Sequence, residues 1–339
     1  MRHTSTGVTA TGGAWLAALA LTSCGPNRPD GSQDTSVQGE GDGDPGDADG
    51  DLGDGEPGDG DLGDGDGDGD GDGHEPPCES MHEGMICIPA GPFIMGSNGL
   101  GFLEEREIPE QVVYLSQFHI DRHEVTFGEY RLCVEAGNCS PPVAEDPNDL
   151  RTFGCRWGNE GIDAYPVACV DWLQALEYCN ARGAELPTEA QWEKAGRGTD
   201  GRDYAWGNEA PTCFYASMAN ETFGDQDPHE GWGCDTGMPE RPGSHSPQGD
   251  SPYGVQDMVG NVGEVVADWL GPGQPNLGAD PTGPDSGTFK VGKGGSYVAS
   301  QLDDASGGYL HLAWRAQSGG PVPGSQLGCG IGFRCVVSE

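Results

Sequence analysis

The chain has 339 residues, 60 of them glycine and 12 cysteine, and a formal net charge of −40. A chain this acidic is not built to hold nucleic acid, because a phosphate backbone demands lysine and arginine. Its acidity suits solubility, cations or basic partners.

Residues 1–23 read as an export signal. Arg2 and His3 give a weakly basic start, and Ala14–Leu21 is an apolar run too short to span a bilayer. The run leads into Leu21-Thr22-Ser23-Cys24, which resembles a bacterial lipobox. That resemblance makes Cys24 the lipidated first residue of a protein anchored to a membrane at the bacterial cell envelope. Gly25 at the next position favours the outer membrane on the same reading; the alternative is an ordinary signal peptide cleaved nearby.

Residues 24–77 follow as a tether. Between Gly25 and Pro77 stand 15 Asp and 3 Glu against one Arg, with almost nothing apolar. Such a segment cannot bury enough surface to offset its ordering entropy, so it is expected to stay solvated. Fully extended it would reach roughly 170 Å. Asp64, Asp66, Asp68, Gly69 and Glu75 match the calcium-loop pattern of an EF-hand, but alternating Asp and Gly match it by chance and no amphipathic helix flanks them.

The folded part is expected over residues 78–339. Met85–Pro89 and Gly91–Gly96 read as short strands around a Pro-Ala-Gly turn, and Val112–Leu115 and Phe118–Ile120 as two more. Thr126 with Glu129 forms a capping box that opens a helix ending at Gly137. Asp171 caps a second helix with Leu173, Leu176, Tyr178 and Cys179 inward and Gly183 as its stop. Thr188 with Gln191 caps a third, which presents Trp192 and Ala195 on one face and stops at Gly196. Beyond Gly198 periodicity fades into long Gly/Pro-rich loops, from about Asn208 to Pro252 and from Gly271 to Gly287. Strands return near Lys290-Val291, Gly295-Ser296-Tyr297 and Gly332–Cys335.

Eleven cysteines lie between Cys78 and Cys335, and in an exported chain that density predicts disulfides. A bridge such as Cys213 with Cys234 would hold the first long loop. The odd number leaves at least one thiol unpaired or paired between chains. No Cys-x-x-Cys or Cys/His cluster has zinc spacing.

Four stretches occur in a fixed order: Leu186-Pro187-Thr188-Glu189-Ala190-Gln191-Trp192-Glu193-Lys194-Ala195-Gly196-Arg197, Asp257-Met258-Val259-Gly260-Asn261-Val262-Gly263-Glu264, Lys293-Gly294-Gly295-Ser296-Tyr297 and Gly332-Phe333-Arg334-Cys335. With them the chain, from about Met85 to Cys335, resembles the formylglycine-generating enzyme family, also called sulfatase-modifying factors. The resemblance implies an α+β fold related to C-type lectins and poor in regular structure. It implies a structural calcium ion held by the side chains of Asp257 and Glu264 and the carbonyls of Gly260 and Val262. That donor set suits the ion, which takes several hard oxygens; the bland reading is a tight turn whose Asp and Asn bond their own backbone. It also implies a disulfide between Cys179 and Cys335, with Cys329 the candidate odd thiol.

Two departures bear on activity. Active family members carry a pair of cysteines just before an Ala-x-Arg stretch and bind copper through them, a soft-ligand site suited to Cu(I). The matching stretch here is Ala313-Trp314-Arg315, and residues 301–312 before it contain no cysteine. Family members also carry Trp at the positions of Gly263 and Val265. The reading these departures favour is a lipid-anchored binding module without copper, whose partner is a protein, peptide or glycan. The alternative is a formylglycine-generating oxidase acting on a sulfatase cysteine.

Overall fold

The computed structural model describes residues 78, 81–98, 107, 109–142, 155–220, 231–272, 278–299, 308–319 and 330–339. The export signal, Cys24, the acidic tether, Asp304 and Cys329 lie outside them. Among the described residues no helix is long and apolar enough to cross a membrane.

Among the described residues regular structure is sparse and mixed: three short α-helices, a 3-10 turn at Gly308–Leu310 and nine short strands in three small sheets. β1 (Met85–Ile88) and β2 (Gly91–Met95) do not pair with each other across their short connection. Pro89 has no N–H to give a ladder, and Gly91 at φ +128° turns the chain away. β1 instead pairs antiparallel with β4 (Phe118–Asp121), while β2 pairs with β3 (Gln111–Leu115).

Each helix begins as its capping residues dictate. In α1 (Phe127–Glu135), α2 (Trp172–Ala181) and α3 (Glu189–Arg197), the side chains of Thr126, Asp171 and Thr188 accept the N3 backbone N–H. The N3 side chains of Glu129, Gln174 and Gln191 return the bond. Two details depart from expectation. In α2 the inward positions are Ala175, Tyr178 and Cys179, with Leu173 and Leu176 only half-buried. α3 runs through Gly196 to a cap at Gly198, whose φ of +72° suits glycine. Gly196 is inside the helix, and a β-carbon there would stand 2.8 Å from the Leu312 side chain.

The C-terminal half supplies a four-stranded sheet in the order β7-β6-β5-β8. It comprises β5 (Gly263–Trp269), β6 (Lys290–Lys293), β7 (Ala316–Ser318) and β8 (Ile331–Gly332), with β8 parallel to β5. The strand expected at Gly295–Tyr297 is absent from it, because Gly294 and Gly295 at φ +87° and +71° end β6 in a turn. β9 (Val336–Ser338) closes the first sheet against β4.

One apolar core gathers around Trp192, Met258, Leu310 and Leu312. A second centres on Tyr130, stacked on Tyr178 at 5.5 Å, with the edge of Phe333 against both. The Cys179–Cys335 disulfide lies in this second core and ties α2 to the C-terminal strand region. Four further disulfides join Cys78–Cys87, Cys133–Cys139, Cys155–Cys169 and Cys213–Cys234, the last across the first long loop.

Candidate functional site

The stretch from Asp257 to Glu264 is a turn that feeds directly into β5. Asp257, Gly260 and Asn261 take φ of +54°, +79° and +55°. Only glycine fits at 260, since a β-carbon there would stand 2.3 Å from the Ser217 carbonyl. The backbone is pinned on both sides: Gly260 N donates to Gly294 O at 2.8 Å and Asn261 N to Ser217 O at 2.7 Å, while Asn261 O accepts from Tyr297 N at 2.8 Å.

Around this turn four charged side chains are buried together: Glu124, Asp257, Glu264 and Arg334. Glu264 is gripped at both oxygens. Arg334 donates Nε to Oε2 at 2.7 Å and Nη2 to Oε1 at 2.6 Å, and the Trp192 indole adds Nε1 to Oε2 at 2.9 Å. Arg334 is fixed in turn by the Gln256 carbonyl at 2.9 Å. Asp257 accepts the Gly243 N–H at 2.5 Å through Oδ2. Asn261 accepts the Glu240 N–H at 2.8 Å through Oδ1 and donates Nδ2 to Glu124 Oε1 at 3.0 Å. Burial, followed by the charge of Asp257, pushes the Glu124 carboxyl well above the ordinary range. Burial also raises Asp257, against the pull of the Gly243 N–H, Arg334, His245 and His123.

This is the loop at which the family resemblance implies calcium. The structure brings Asp257, Gly260, Val262 and Glu264 into one turn, but it turns the Glu264 carboxylate onto Arg334 and Trp192. Among the described residues no three His, Cys, Asp or Glu side chains converge closely enough to hold an ion alone, so backbone carbonyls must complete any shell. The donor chemistry still fits calcium. The oxygens are hard, and three buried carboxylates face one guanidinium, a surplus that a divalent cation would cancel. Glu124, absent from the sequence-derived ligand set, carried no signal in the chain because it lies more than 130 positions away.

The stretch Ala313-Trp314-Arg315 is interior. Arg315 forms a fork with Glu189, Nε to Oε1 at 2.6 Å and Nη2 to Oε2 at 2.8 Å, and its N–H donates to Glu107 Oε1 at 3.1 Å. His311 meets the Tyr204 hydroxyl at 3.1 Å. At the two positions where the family carries Trp, a β-carbon on Gly263 would stand 2.9 Å from the Gly295 carbonyl, and Val265 is fully buried.

A separate open depression of about 370 Å³ is lined by Asp200, Arg202, Trp206, Gly207, Asn208 and Glu209. The Trp206 ring stacks with Tyr204 at 5.2 Å and with Tyr215 at 4.8 Å.

Residues 73–339 match the model of the sulfatase-modifying factor enzyme 1-like domain. The chain belongs to this family. It is 31% identical over 264 residues to the formylglycine-generating enzyme of Thermomonospora curvata, covering 66% of this chain and 85% of that one. It is 29% identical over 292 residues to that of Bos taurus, covering 75% of each. PvdO from Pseudomonas aeruginosa shares the fold, with a TM-score of 0.58 at 20% identity over 75% of this chain and 94% of that one. Treponema denticola variable protein 1 does so with a TM-score of 0.53 at 22% identity, over 75% and 95%. The sulfatase-modifying-factor domain here thus has the α+β, C-type-lectin-like architecture, few helices and small mixed sheets included.

Proposed function

We propose that this sulfatase-modifying-factor domain is a non-enzymatic binding module, held at the bacterial cell envelope by a lipid on Cys24 and spaced from the outer membrane by the acidic tether. Its partner is a protein, peptide or glycan. The observation that carries the reading is the empty cysteine register: residues 301–312 contain no cysteine ahead of Ala313-Trp314-Arg315. The ten cysteines of the described residues are joined in pairs. Copper oxidation in the family needs two thiolates, and a disulfide sulfur supplies none. The burial of Arg315 against Glu189 supports the same reading, since a guanidinium engaged at both ends has little left for a substrate.

The experiment incubates the protein with copper and a Cys-x-Pro-x-Arg peptide and looks for aldehyde by mass. No aldehyde is expected. Turnover that vanishes in Cys329→Ser would establish the oxidase instead. Cys24→Ser is expected to release the protein from the membrane fraction.

The domain also holds a calcium ion on this reading, at the Asp257–Glu264 turn. The Asp257 and Glu264 side chains and the carbonyls of Gly260 and Val262 would hold it, and the ion would neutralise charge and cross-link the turn. Elemental analysis of the purified protein is expected to find calcium.

A further inference from the structure

The chain that leaves α3 builds the open depression lined by Asp200, Arg202, Trp206, Gly207, Asn208 and Glu209. Buried Arg197, at the end of the helix, fixes the backbone there, with Nη2 donating to Gly201 O at 2.7 Å and Nε to Arg202 O at 2.8 Å. The lining side chains are held too. Arg202 and Asp200 form a fork, Nε to Oδ1 at 2.9 Å and Nη2 to Oδ2 at 2.7 Å. Asn208 Oδ1 accepts the Asp203 N–H at 2.9 Å, and the Trp206 indole donates to the Glu209 carbonyl at 3.0 Å.

These bonds leave a mixture of donors and acceptors facing solvent. Arg202 keeps one N–H on Nη2 and one on Nη1, whose other contact is the Ala205 carbonyl at 3.3 Å. Asn208 keeps both hydrogens of its amide nitrogen. The Glu209 carboxylate has no partner among the described residues. Both kinds of group thus line one small site together with an indole.

That mixture selects the ligand. A cationic peptide needs acceptors alone, and the Arg202 guanidinium opposes it. An anion meets Asp200 and Glu209 in a chain that carries −40 overall. A neutral sugar fits, because each hydroxyl both donates and accepts, so neighbouring hydroxyls answer donors and acceptors set side by side. The apolar C–H face of a sugar ring suits the indole. A volume of about 370 Å³ lies at the small end of ligand pockets, roughly 300–1,000 Å³.

We infer that this depression binds a neutral glycan, with Glu209 as the main acceptor and Arg202 and Asn208 as donors. The inference rests on the binding-module reading and selects the glycan from its partners.

The test titrates methyl α-mannoside, methyl β-glucoside, methyl β-galactoside and N-acetylglucosamine against the full-length protein, followed by saturation-transfer NMR. At least one is expected to bind. Glu209→Ala should weaken that binding about tenfold or more, the size of one hydrogen bond to a charged group. Asn208→Asp, which keeps the acceptor for the Asp203 N–H but loses the donor, should weaken it as well. Both variants should melt as the wild type does, since neither removes a bond within the protein. A panel in which no sugar binds, or binding that both variants leave unchanged, would overturn the inference. Tetralysine held less tightly by Glu209→Ala than by the wild type, with no sugar bound, would give the depression to a basic peptide instead; the acidic tether is common to every variant, so association there cancels. Any of these results leaves the binding-module reading standing. Aldehyde from the Cys-x-Pro-x-Arg peptide alongside sugar binding would do the reverse, removing that reading and keeping the site.

Discussion

Two buried charged regions meet at Trp192, and they are balanced differently. Beneath α3, Glu107, Glu189, Glu193 and Asp268 stand with Lys194, Arg197, Lys293 and Arg315, four against four. At the Asp257–Glu264 turn, Glu124, Asp257 and Glu264 face Arg334, three against one. Trp192 touches both, with its indole N–H on Glu264 and the Lys293 ammonium 5.6 Å from a ring centre. The carboxyls beneath α3 titrate unequally, and burial still raises Glu107 there. Burial alone would raise Glu193, yet Lys293 and Arg197 hold it below its ordinary value. At the turn, burial wins and both Glu124 and Asp257 are raised. Direct pairing with two cations holds Glu193 down, and carboxyls without such a pair, in either region, are raised by burial.

The largest test of this contrast is Arg315→Met. It strands Glu189 without its fork, and breaking such a buried pair costs about 3–5 kcal/mol. Denaturant unfolding should show the loss equally in calcium and in EDTA. A loss that calcium rescues would merge the two regions into one.

Glu107 gives the next effect. Burial lifts its carboxyl to about 7, against the pull of Lys293. The folded protein therefore keeps a proton that the unfolded chain has released. The stability this confers is full below about pH 4.5 and is lost as pH rises towards 7, a change on the order of 3 kcal/mol. Glu107→Gln should flatten that part of the melting profile measured in EDTA. An unchanged slope would place the pH dependence at the turn instead.

The smallest effect is Trp192→Phe. It removes one hydrogen bond to a charged acceptor, worth roughly 1.5–3 kcal/mol. Because Arg334 still bonds Glu264 at both oxygens, the loss should stay smaller than in Arg315→Met when unfolding is measured in EDTA. A loss as large as that of Arg315→Met would make the indole, not Arg334, the main support of Glu264.

Much of the local structure was legible. All three capping boxes stand where Thr126, Asp171 and Thr188 announce them, because a cap is settled within four residues. The strands around Met85–Met95 and Gln111–Asp121 were legible too, but their pairing was not, since the turn at Pro89 and Gly91 could have joined β1 to β2. β5 was hidden behind its own opening turn. The polar positions of α3 were the plainest miss. Glu189, Glu193, Lys194 and Arg197 follow the pattern of a solvated face and are all buried. Several of their partners come from 100 or more residues away, as Lys293 does for Glu193 and Arg315 for Glu189.

The sequence by itself determined the family, the caps and the absence of cysteine before Ala313-Trp314-Arg315, because each is a local pattern or a residue identity. Only the tertiary structure decided which carboxylate each cation takes, and so which oxygen at the Asp257–Glu264 turn is left over. That choice depends on distances between segments far apart in the chain, and burial makes each distance count by removing the water that would otherwise screen it.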